Sequence, residues 1–310
     1  MTRIYVPIDS AALALGAEAV AEAVASEARK RGLDVQIVRN GSRGLFYLEP
    51  LVEVETAHGR IGYANVEAED VAGLFDAGLI EGGAHGKNVG LVDEIPYLKK
   101  QQRLTFARIG ITDPLSIDDY VALGGLQGLR NVLDMNGDAV VEALLDSGLR
   151  GRGGAAFPAG IKWKMVRAAP SDQKYVVCNA DEGDSGTFSD RLVMESDPYM
   201  LIEGMIIAGV ATGATKGYIY VRSEYPHSIA TLNRATRAGS ARACSARRMR
   251  SICTWRRARA PMCAARKRRC SNRSKASAAS CARSRRCRRS PVCTGNLRSS
   301  TTSSRSPRCR

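Results

Sequence analysis

A glycine-rich segment, SGLRGRGGAAFPAGIKW at residues 147–163, restricts the fold of this chain more than any other feature. It holds five glycines, two arginines and a lysine. Glycine lets backbone N–H groups approach a ligand closely, and a glycine-rich turn at the start of a helix binds anions. An ordinary flexible loop is the alternative, because glycine-rich segments without a ligand are common. The flanking sequence decides between the two.

Helices and strands alternate around this segment. Residues 138–148 form a predicted amphipathic helix, 175–178 a buried strand, 198–217 an apolar helix and 217–225 a second strand. This order is typical of nucleotide-binding α/β domains, which place binding groups at strand ends. Carboxylates there can accept hydrogen bonds from ribose hydroxyls, unless the loop is a solvated turn. The polar residues that follow the first strand are Asn179, Asp181, Glu182, Asp184 and Asp190.

The N-terminal sequence predicts a second, smaller α/β unit with a thioredoxin-like fold. No CxxC pair precedes Cys178, so thiol redox chemistry is excluded from this unit, and Cys178 itself is expected to pack as a small buried residue. A further helix is predicted after Ser116, in the region that connects the two α/β units (residues 96–146). The thioredoxin-like order β-α-β-β-β-α comes from a strand at 3–8, a helix at 10–32, a strand at 34–40, a hairpin at 51–66 and a helix at 69–80.

Charge and cysteine are distributed unevenly along the chain. Of 46 Lys and Arg residues, 22 lie in residues 240–310, where no acidic residue occurs, so residues 1–239 carry a net charge of −7. Eight of the nine cysteines also follow residue 240. The first 239 residues therefore show no disulfide framework, and the sequence has neither an apolar span of about 20 residues nor a signal-peptide core. These features predict a cytoplasmic protein without a membrane span.

GLRGRGGAAFPAGIKW, followed by CNADEGDSGTFSDR and IEGMIIAG, resembles the NADH-binding FMN flavoprotein subunit of respiratory complex I. Its relatives include the β subunit of NAD-dependent formate dehydrogenase and the diaphorase subunit of NAD-reducing hydrogenases. The resemblance runs from about residue 113 to residue 227. It implies an FMN- and NAD-binding Rossmann-like α/β domain, in which the glycine loop wraps FMN and leaves one face open to NADH.

The resemblance also implies which residues bind the cofactors, and it assigns neither a catalytic side chain nor a metal ligand. The glycine loop with Lys162 would hold FMN, Phe157 would stack near the nicotinamide nucleotide, and Asp184 would contact NAD. The implied cofactor-binding residues are Gly151, Arg152, Gly153, Gly154, Phe157, Lys162, Asn179, Asp181, Glu182 and Asp184.

Three positions depart from the family pattern. Ala156 replaces a common glycine, Asp184 replaces a longer glutamate, and Met165 lies where an aromatic residue is frequent. The first change adds a methyl group to a tight loop. The other two are expected to weaken or redirect NAD binding.

The N-terminal unit helps to choose among the relatives. Residues 41–55 resemble the cluster-binding segment of a thioredoxin-like ferredoxin without its cysteines, so this unit is expected to be metal-free. A fused unit of this kind favours the formate dehydrogenase β subunit, with iron–sulfur and molybdenum subunits as partners. A complex I flavoprotein subunit is the alternative. A nucleic-acid-binding protein with a basic arm is the alternative from a different class.

Residues 240–310 allow three interpretations. A nucleic-acid arm would bind phosphates, but this stretch has one tryptophan and no other aromatic residue for stacking. A zinc site would lack both CxxC pairs and histidines. The favoured hypothesis is out-of-frame translation of a GC-rich gene. With permitted codons for residues 261–280, reading from the third base gives AYVCGEETALLESIEGKRGI, which resembles the next segment of the family.

The sequence predicts four regions. They are a thioredoxin-like domain without cluster cysteines at 1–95, a connecting helical region at 96–146, the first part of the FMN/NAD domain at 147–239 and a disordered basic tail at 240–310. A frame change near Gly239 would leave the flavin pocket half encoded, and the family's [4Fe–4S] ligands would lie beyond Arg310. We therefore expect the 310-residue chain to hold FMN weakly and to be inactive in hydride transfer.

Overall fold

The computed structural model describes residues 1–243, which fall within one compact unit. Apart from residues 240–243, which continue the last helix, the predicted basic tail and its out-of-frame reading lie outside the described residues. Two sheets organise the described part, one of five strands and one of two strands, and helices pack against both. The α/β fold class is confirmed.

The N-terminal sheet has the predicted thioredoxin-like arrangement. Its elements are β1 (Thr2–Tyr5), α1 (Ser10–Ala14), α2 (Ala17–Lys30), β2 (Val35–Val38), β3 (Val52–Thr56), β4 (Gly59–Tyr63), α3 (Val71–Asp76) and β5 (Asn88–Leu91). The strand order is β2-β1-β3-β4-β5, with β1 parallel to β2 and the other neighbours antiparallel. A βαβ unit followed by a hairpin produces this order.

The first helix differs from the prediction in one respect. Residues 10–32 were predicted as a single helix, but it is broken at Gly16, whose φ of 92° lies in the left-handed region that favours glycine. After the break, α2 buries Val20, Val24 and Ala28 in the core of the sheet, as its apolar spacing predicts. The short strand β5 was not predicted.

The connecting region contains α4 (Pro96–Lys99), α5 (Ile117–Ala122), α6 (Gln127–Leu133) and α7 (Gly137–Asp146). The helix predicted after Ser116 is confirmed, since the Ser116 hydroxyl accepts a hydrogen bond from the Asp119 N–H at 3.1 Å. It ends at Ala122, and Gly124 and Leu126 adopt φ values of 83° and 64° before α6 begins. Glu203 accepts hydrogen bonds from the N–H groups of Leu126 and Leu129, both at 2.8 Å, and thereby caps α6.

The remaining elements are α8 (Ala159–Ala168), β6 (Tyr175–Ala180), α9 (Ser189–Ser196), α10 (Pro198–Thr212), β7 (Lys216–Val221) and α11 (Pro226–Ala243). β6 and β7 are parallel and pair in register along their full length. α9 lies in a stretch that was predicted as a polar loop, and α11 was not predicted. The helix–strand alternation around the glycine segment is therefore confirmed, with one more helix than expected.

The two faces of the β6–β7 sheet have different environments. Ala180 and Val221 pack with Met194 and Leu232 on one face. On the other face the Val177 side chain is 62% exposed, although parallel sheets are normally covered on both faces. Within residues 1–243, no helix is long and apolar enough to cross a membrane. The region boundaries placed at residues 95, 146 and 239 stay predictions.

Candidate flavin-nucleotide site

The glycine loop is a closed loop between α7 and α8. Arg150 and Pro158 form an antiparallel bridge at its base. Inside the bridge, the Gly151 N–H donates to the Phe157 carbonyl at 2.9 Å, and the Arg150 Nε donates to the Ala156 carbonyl at 2.6 Å. These bonds fix residues 151–157 as a single turn that projects into solvent, where all seven are exposed. The Phe157 side chain is half exposed beside this turn.

The tip of the loop is bare backbone. A Cβ atom placed on Gly153 or Gly154 would have no neighbouring atom within 4 Å. Gly154 also has a φ of 93°, which favours glycine. The space beside these two residues is therefore open to a ligand that lies against their N–H groups. Arg152 is exposed at the same turn and can add positive charge.

Ala156 occupies a position that suits glycine. Its φ of 48° places an L-residue in the left-handed region, which costs about 1–2 kcal/mol. The resemblance had identified Ala156 as a replacement for a common glycine. The backbone geometry gives that departure a physical meaning, because the loop keeps the glycine-type conformation and bears the strain.

The N-terminus of α8 lies directly after the loop. Its N-cap residue is Pro158, which makes no side-chain cap, and the first N–H groups of a helix have no partner within the helix. Gly160 allows α8 to approach α7, since a Cβ there would be 2.8 Å from the Leu145 backbone nitrogen. Lys162 is exposed in the first turn. A helix N-terminus with this charge favours an anion such as phosphate.

The polar loop begins at the carboxyl end of β6. The Asn179 Oδ1 accepts a hydrogen bond from the Asp181 N–H at 3.1 Å. Further on, the Asp184 carbonyl accepts from the Thr187 N–H at 3.2 Å, in a turn where Gly186 has a φ of 78°. The carboxylates of Asp181 and Asp184 are exposed and available to a ligand.

Glu182 has a different position from its neighbours in the loop. It is 5% exposed, and its carboxylate accepts hydrogen bonds from the N–H groups of Asp190 at 2.8 Å and Arg191 at 3.1 Å. These bonds cap the N-terminus of α9. The Tyr225 hydroxyl donates to the same carboxylate at 3.3 Å. Glu182 thus anchors the loop to α9, and its contact with a flavin stays a prediction.

Two titratable groups near the end of β6 have raised pKa values. Burial, reinforced by the Glu182 carboxylate, raises the pKa of Asp190. Burial, with a contribution from Asp190, raises the pKa of the Cys178 thiol to about 11. Cys178 is partly buried and packs against the cluster of Ala180, Met194, Val221 and Leu232. Its thiol stays protonated at neutral pH, which fits the structural role expected for it.

Some residues that shape the site could not be found from local patterns. Arg222, at the end of β7, donates to the Glu182 carbonyl at 2.6 Å. The two residues are 40 positions apart, so only the pairing of β6 with β7 brings them together. Within the part of the chain that the structure describes, no hydrogen bond or ion pair joins the glycine loop to the polar loop.

The segment that resembles a cluster-binding loop is filled by hydrogen-bonded polar side chains. Ser42 is fully buried, its N–H donates to Asp9 Oδ2 at 3.0 Å, and its hydroxyl donates to Glu49 Oε1 at 2.5 Å. Beside it, Arg43 forms a buried ion pair with Glu53 at 2.6 Å. Among residues 1–243, no group of three or more His, Cys, Asp or Glu side chains is arranged to hold a metal ion.

The structure thus presents two exposed loops, one rich in glycine and one rich in carboxylates, within an α/β fold. Residues 144–260 match the Nuo51 FMN-binding domain family. This match confirms the resemblance to the NADH-binding FMN flavoprotein family over that part of the chain. The residues present fit a phosphate-bearing flavin, because the bare backbone at Gly153 and Gly154, the charge of Lys162 and the start of α8 occur together.

Two curated relatives are similar to part of this chain. The chain is 53% identical over 137 residues to the NADP-reducing hydrogenase subunit HndC of Solidesulfovibrio fructosivorans, and the match covers 44% of this chain and 28% of that protein. It is 42% identical over 117 residues to the mitochondrial NADH dehydrogenase (ubiquinone) flavoprotein 1 of Dictyostelium discoideum, covering 37% and 24% respectively. The chain thus spans less than a third of the length of these relatives.

Among solved structures, the wild-type thioredoxin-like [2Fe-2S] ferredoxin from Aquifex aeolicus is similar over 29% of this chain and 97% of its own. The sequence identity is 18% and the TM-score is 0.26.

Proposed function

We propose that this chain carries the site at which NAD(H) and FMN exchange a hydride in a multisubunit oxidoreductase, and from which single electrons pass to iron–sulfur centres. The observation that carries the proposal is the closed glycine loop with bare backbone at Gly153 and Gly154, next to the start of α8. The match of residues 144–260 to an FMN-binding domain supports the same ligand. FMN supplies the hydride and one-electron chemistry when bound.

The glycine loop would bind the phosphate end of FMN. Backbone N–H groups of Gly153 and Gly154 would donate to phosphate oxygens, Gly151 would line the same turn, and the cationic side chains of Arg152 and Lys162 would neutralise the phosphate charge. The exposed positions of these residues support this assignment. In this arrangement the loop orients the flavin and no side chain transfers a proton.

The polar loop would bind the flavin ring and the nicotinamide nucleotide. Asn179 and Asp181 lie at the end of β6 and can accept hydrogen bonds from a ring N–H or a hydroxyl. Asp184, on the exposed turn, accepts from the nucleotide ribose. Phe157 offers a half-exposed ring for stacking near the nicotinamide. Glu182 holds the loop in position through α9.

For the complex, we propose an NAD-dependent formate dehydrogenase in the cytoplasm, with iron–sulfur and molybdenum subunits as partners. The support is the fused thioredoxin-like unit, in which Ser42 and Arg43 fill the segment that would otherwise hold a cluster. A complex I flavoprotein subunit is the second candidate, favoured by the similarity to the NADH dehydrogenase flavoprotein of Dictyostelium discoideum. Purification of the native complex decides between them. Formate-dependent NAD⁺ reduction supports the first, and NADH:quinone activity without a molybdenum subunit supports the second.

The test of the site compares two proteins side by side. One is the 310-residue chain, and the other has the frame-corrected reading after residue 239. Bound flavin is measured by absorbance, and its reduction by NADH is followed without oxygen. We expect the frame-corrected protein to bind FMN and be reduced, and the 310-residue chain to hold FMN weakly. Failure of the frame-corrected protein to bind FMN would overturn the proposed function. Stoichiometric FMN and equal turnover in the 310-residue chain would overturn the frame argument.

A further inference from the structure

One face of α9 packs against the N-terminal unit. The contacting residues follow helical spacing, with Phe188 just before the helix, Arg191 one turn later and Glu195 one turn further on. The Phe188 ring lies 4.6 Å from the Phe46 ring in an edge-to-face arrangement, and the Arg191 guanidinium lies 5.6 Å from the same Phe46 ring. Glu195, which is 1% exposed, accepts from the Ser10 N–H at 2.8 Å. Phe188 and two residues on the same face of α9 thus contact the N-terminal unit.

The backbone of the N-terminal unit approaches α9 closely at two glycines. A Cβ on Gly41 would lie 2.1 Å from the Ser196 Oγ and 3.0 Å from the Ser196 Cα, so only glycine fits there. Gly44 has a φ of 86°, and a Cβ there would contact the Leu192 side chain at 3.6 Å. Both glycines and Phe46 belong to the segment that resembles a cluster-binding loop. In this chain the segment serves as a contact surface for α9.

The polar loop directly precedes α9 and is anchored at both of its ends. Glu182 ties the beginning of the loop to the first N–H groups of α9, and Phe188 ties its end to Phe46. Between these two anchors, residues 184–187 are exposed and make only a local turn. The position of Asp184 therefore depends on both anchors, one of which is in the N-terminal unit.

We propose that Phe46 is a positioning residue for pyridine-nucleotide binding, and that it acts through Phe188 and α9 on the loop that carries Asp184. The inference rests on the proposed function for the role of that loop, but the mechanical link can be measured without any cofactor. An edge-to-face aromatic pair shifts a local opening equilibrium by about two- to tenfold. The N-terminal unit, without a cluster, then has a defined task in shaping the nucleotide site.

The first measurement is amide hydrogen exchange on the cofactor-free 310-residue chain. The amides of Thr187, Asp190 and Arg191 report the turn and the Glu182 cap. Phe46→Ala should speed their exchange by about two- to tenfold. Tyr47→Ala is the matched control, since Tyr47 is the next aromatic residue on the same turn and is 65% exposed. In Tyr47→Ala, the amides of Thr187, Asp190 and Arg191 should exchange at the wild-type rate.

The second measurement is the NADH dependence of flavin reduction in the FMN-loaded, frame-corrected protein. Phe46→Ala should raise KM for NADH severalfold with little change in kcat or FMN content, and Tyr47→Ala should change none of them. Phe46→Leu keeps the apolar volume without the ring, so it should give an intermediate effect and remain folded if Phe46→Ala does not.

The outcomes separate this inference from the proposed function. Unchanged exchange in both Phe46 variants, or faster exchange with an unchanged KM, overturns the positioning role. An equal rise in KM for Tyr47→Ala overturns it as well, because the effect would then be unspecific. If wild-type FMN-loaded protein is not reduced by NADH, the proposed function fails and the nucleotide role of Phe46 fails with it. Faster exchange in Phe46→Ala would in that case still identify the mechanical link.

Discussion

The buried carboxylate of Glu49 should make the folded protein less stable as pH rises. Glu49 is 3% exposed, and its two oxygens accept from the Ser42 hydroxyl at 2.5 Å and the Leu51 N–H at 2.9 Å. Burial, reinforced by the nearby Asp9 carboxylate, raises the pKa of Glu49 from 4.5 to about 7, and the two hydrogen bonds offset only part of this. The change that tests the effect is Glu49→Gln, which is nearly isosteric and neutral at every pH.

The magnitude follows from the size of this shift. Each pKa unit corresponds to about 1.4 kcal/mol, so a rise from 4.5 to about 7 is worth about 3 kcal/mol. Between these values the folded state binds a proton that the unfolded state has released, so the free energy of unfolding falls as pH rises. Most of the loss falls between about pH 5 and about pH 8, and above the folded pKa the cost is constant.

Urea unfolding at about pH 5 and about pH 8 measures the effect. The free energy of unfolding of the wild type should decrease over this range by about 2–3 kcal/mol more than that of Glu49→Gln. Comparing the two pH values cancels any hydrogen bond that the amide fails to reproduce. Glu22→Gln, at an exposed position on α2, is the control and should follow the wild type. The same pH dependence in wild type and Glu49→Gln would refute the assignment of a raised pKa to this carboxyl.

Three further substitutions test the candidate site. Ala156→Gly should relieve about 1–2 kcal/mol of backbone strain, against an entropy cost of about 0.5–1 kcal/mol. Urea unfolding should therefore show equal or higher stability, and a clear loss of stability would contradict the strained φ of Ala156. Gly160→Ala should destabilise the folded protein by about 1–3 kcal/mol, because the added Cβ meets Leu145. Gly204→Ala, on an open helix surface, should not destabilise it, and equal losses of stability in the two variants would refute the close packing of α8. Asp184→Ala should weaken NADH binding by about 1.5–3 kcal/mol and weaken FMN binding less, as measured by titration of the frame-corrected protein. Unchanged NADH affinity in this variant would remove Asp184 from the site.

Local patterns were sufficient to predict the elements that carry the cofactor loops. The apolar spacing of α2 and α7, the Ser116 cap and the glycine segment each depend on residues close in sequence. The thioredoxin-like order followed from the same periodicities. Ala156 was recognised as a departure from sequence alone, but its left-handed φ is visible only in the folded loop.

The features that the sequence did not reveal depend either on contacts formed in the fold or on an ambiguous local signal. α9 is eight residues long and begins in a polar stretch, and its N-terminal cap is Glu182, seven residues before its first residue. The break at Gly16 could not be separated from an uninterrupted alanine-rich helix, because isolated glycines are tolerated in helices. Phe46 and Phe188 meet only after the two α/β units have folded.

The most direct test of the central claim is FMN binding to a protein in which the space beside the glycine loop is filled. Gly153→Leu adds a side chain where the folded protein has no atom within 4 Å and no left-handed φ, so it should not affect folding. Gly86→Leu is the matched control, because that glycine has the same open surroundings outside the site. In the frame-corrected protein, FMN titration should show an affinity at least about tenfold weaker for Gly153→Leu, a loss of about 1.4 kcal/mol, and wild-type affinity for Gly86→Leu. Wild-type affinity in Gly153→Leu would contradict the assignment of this loop as the flavin site.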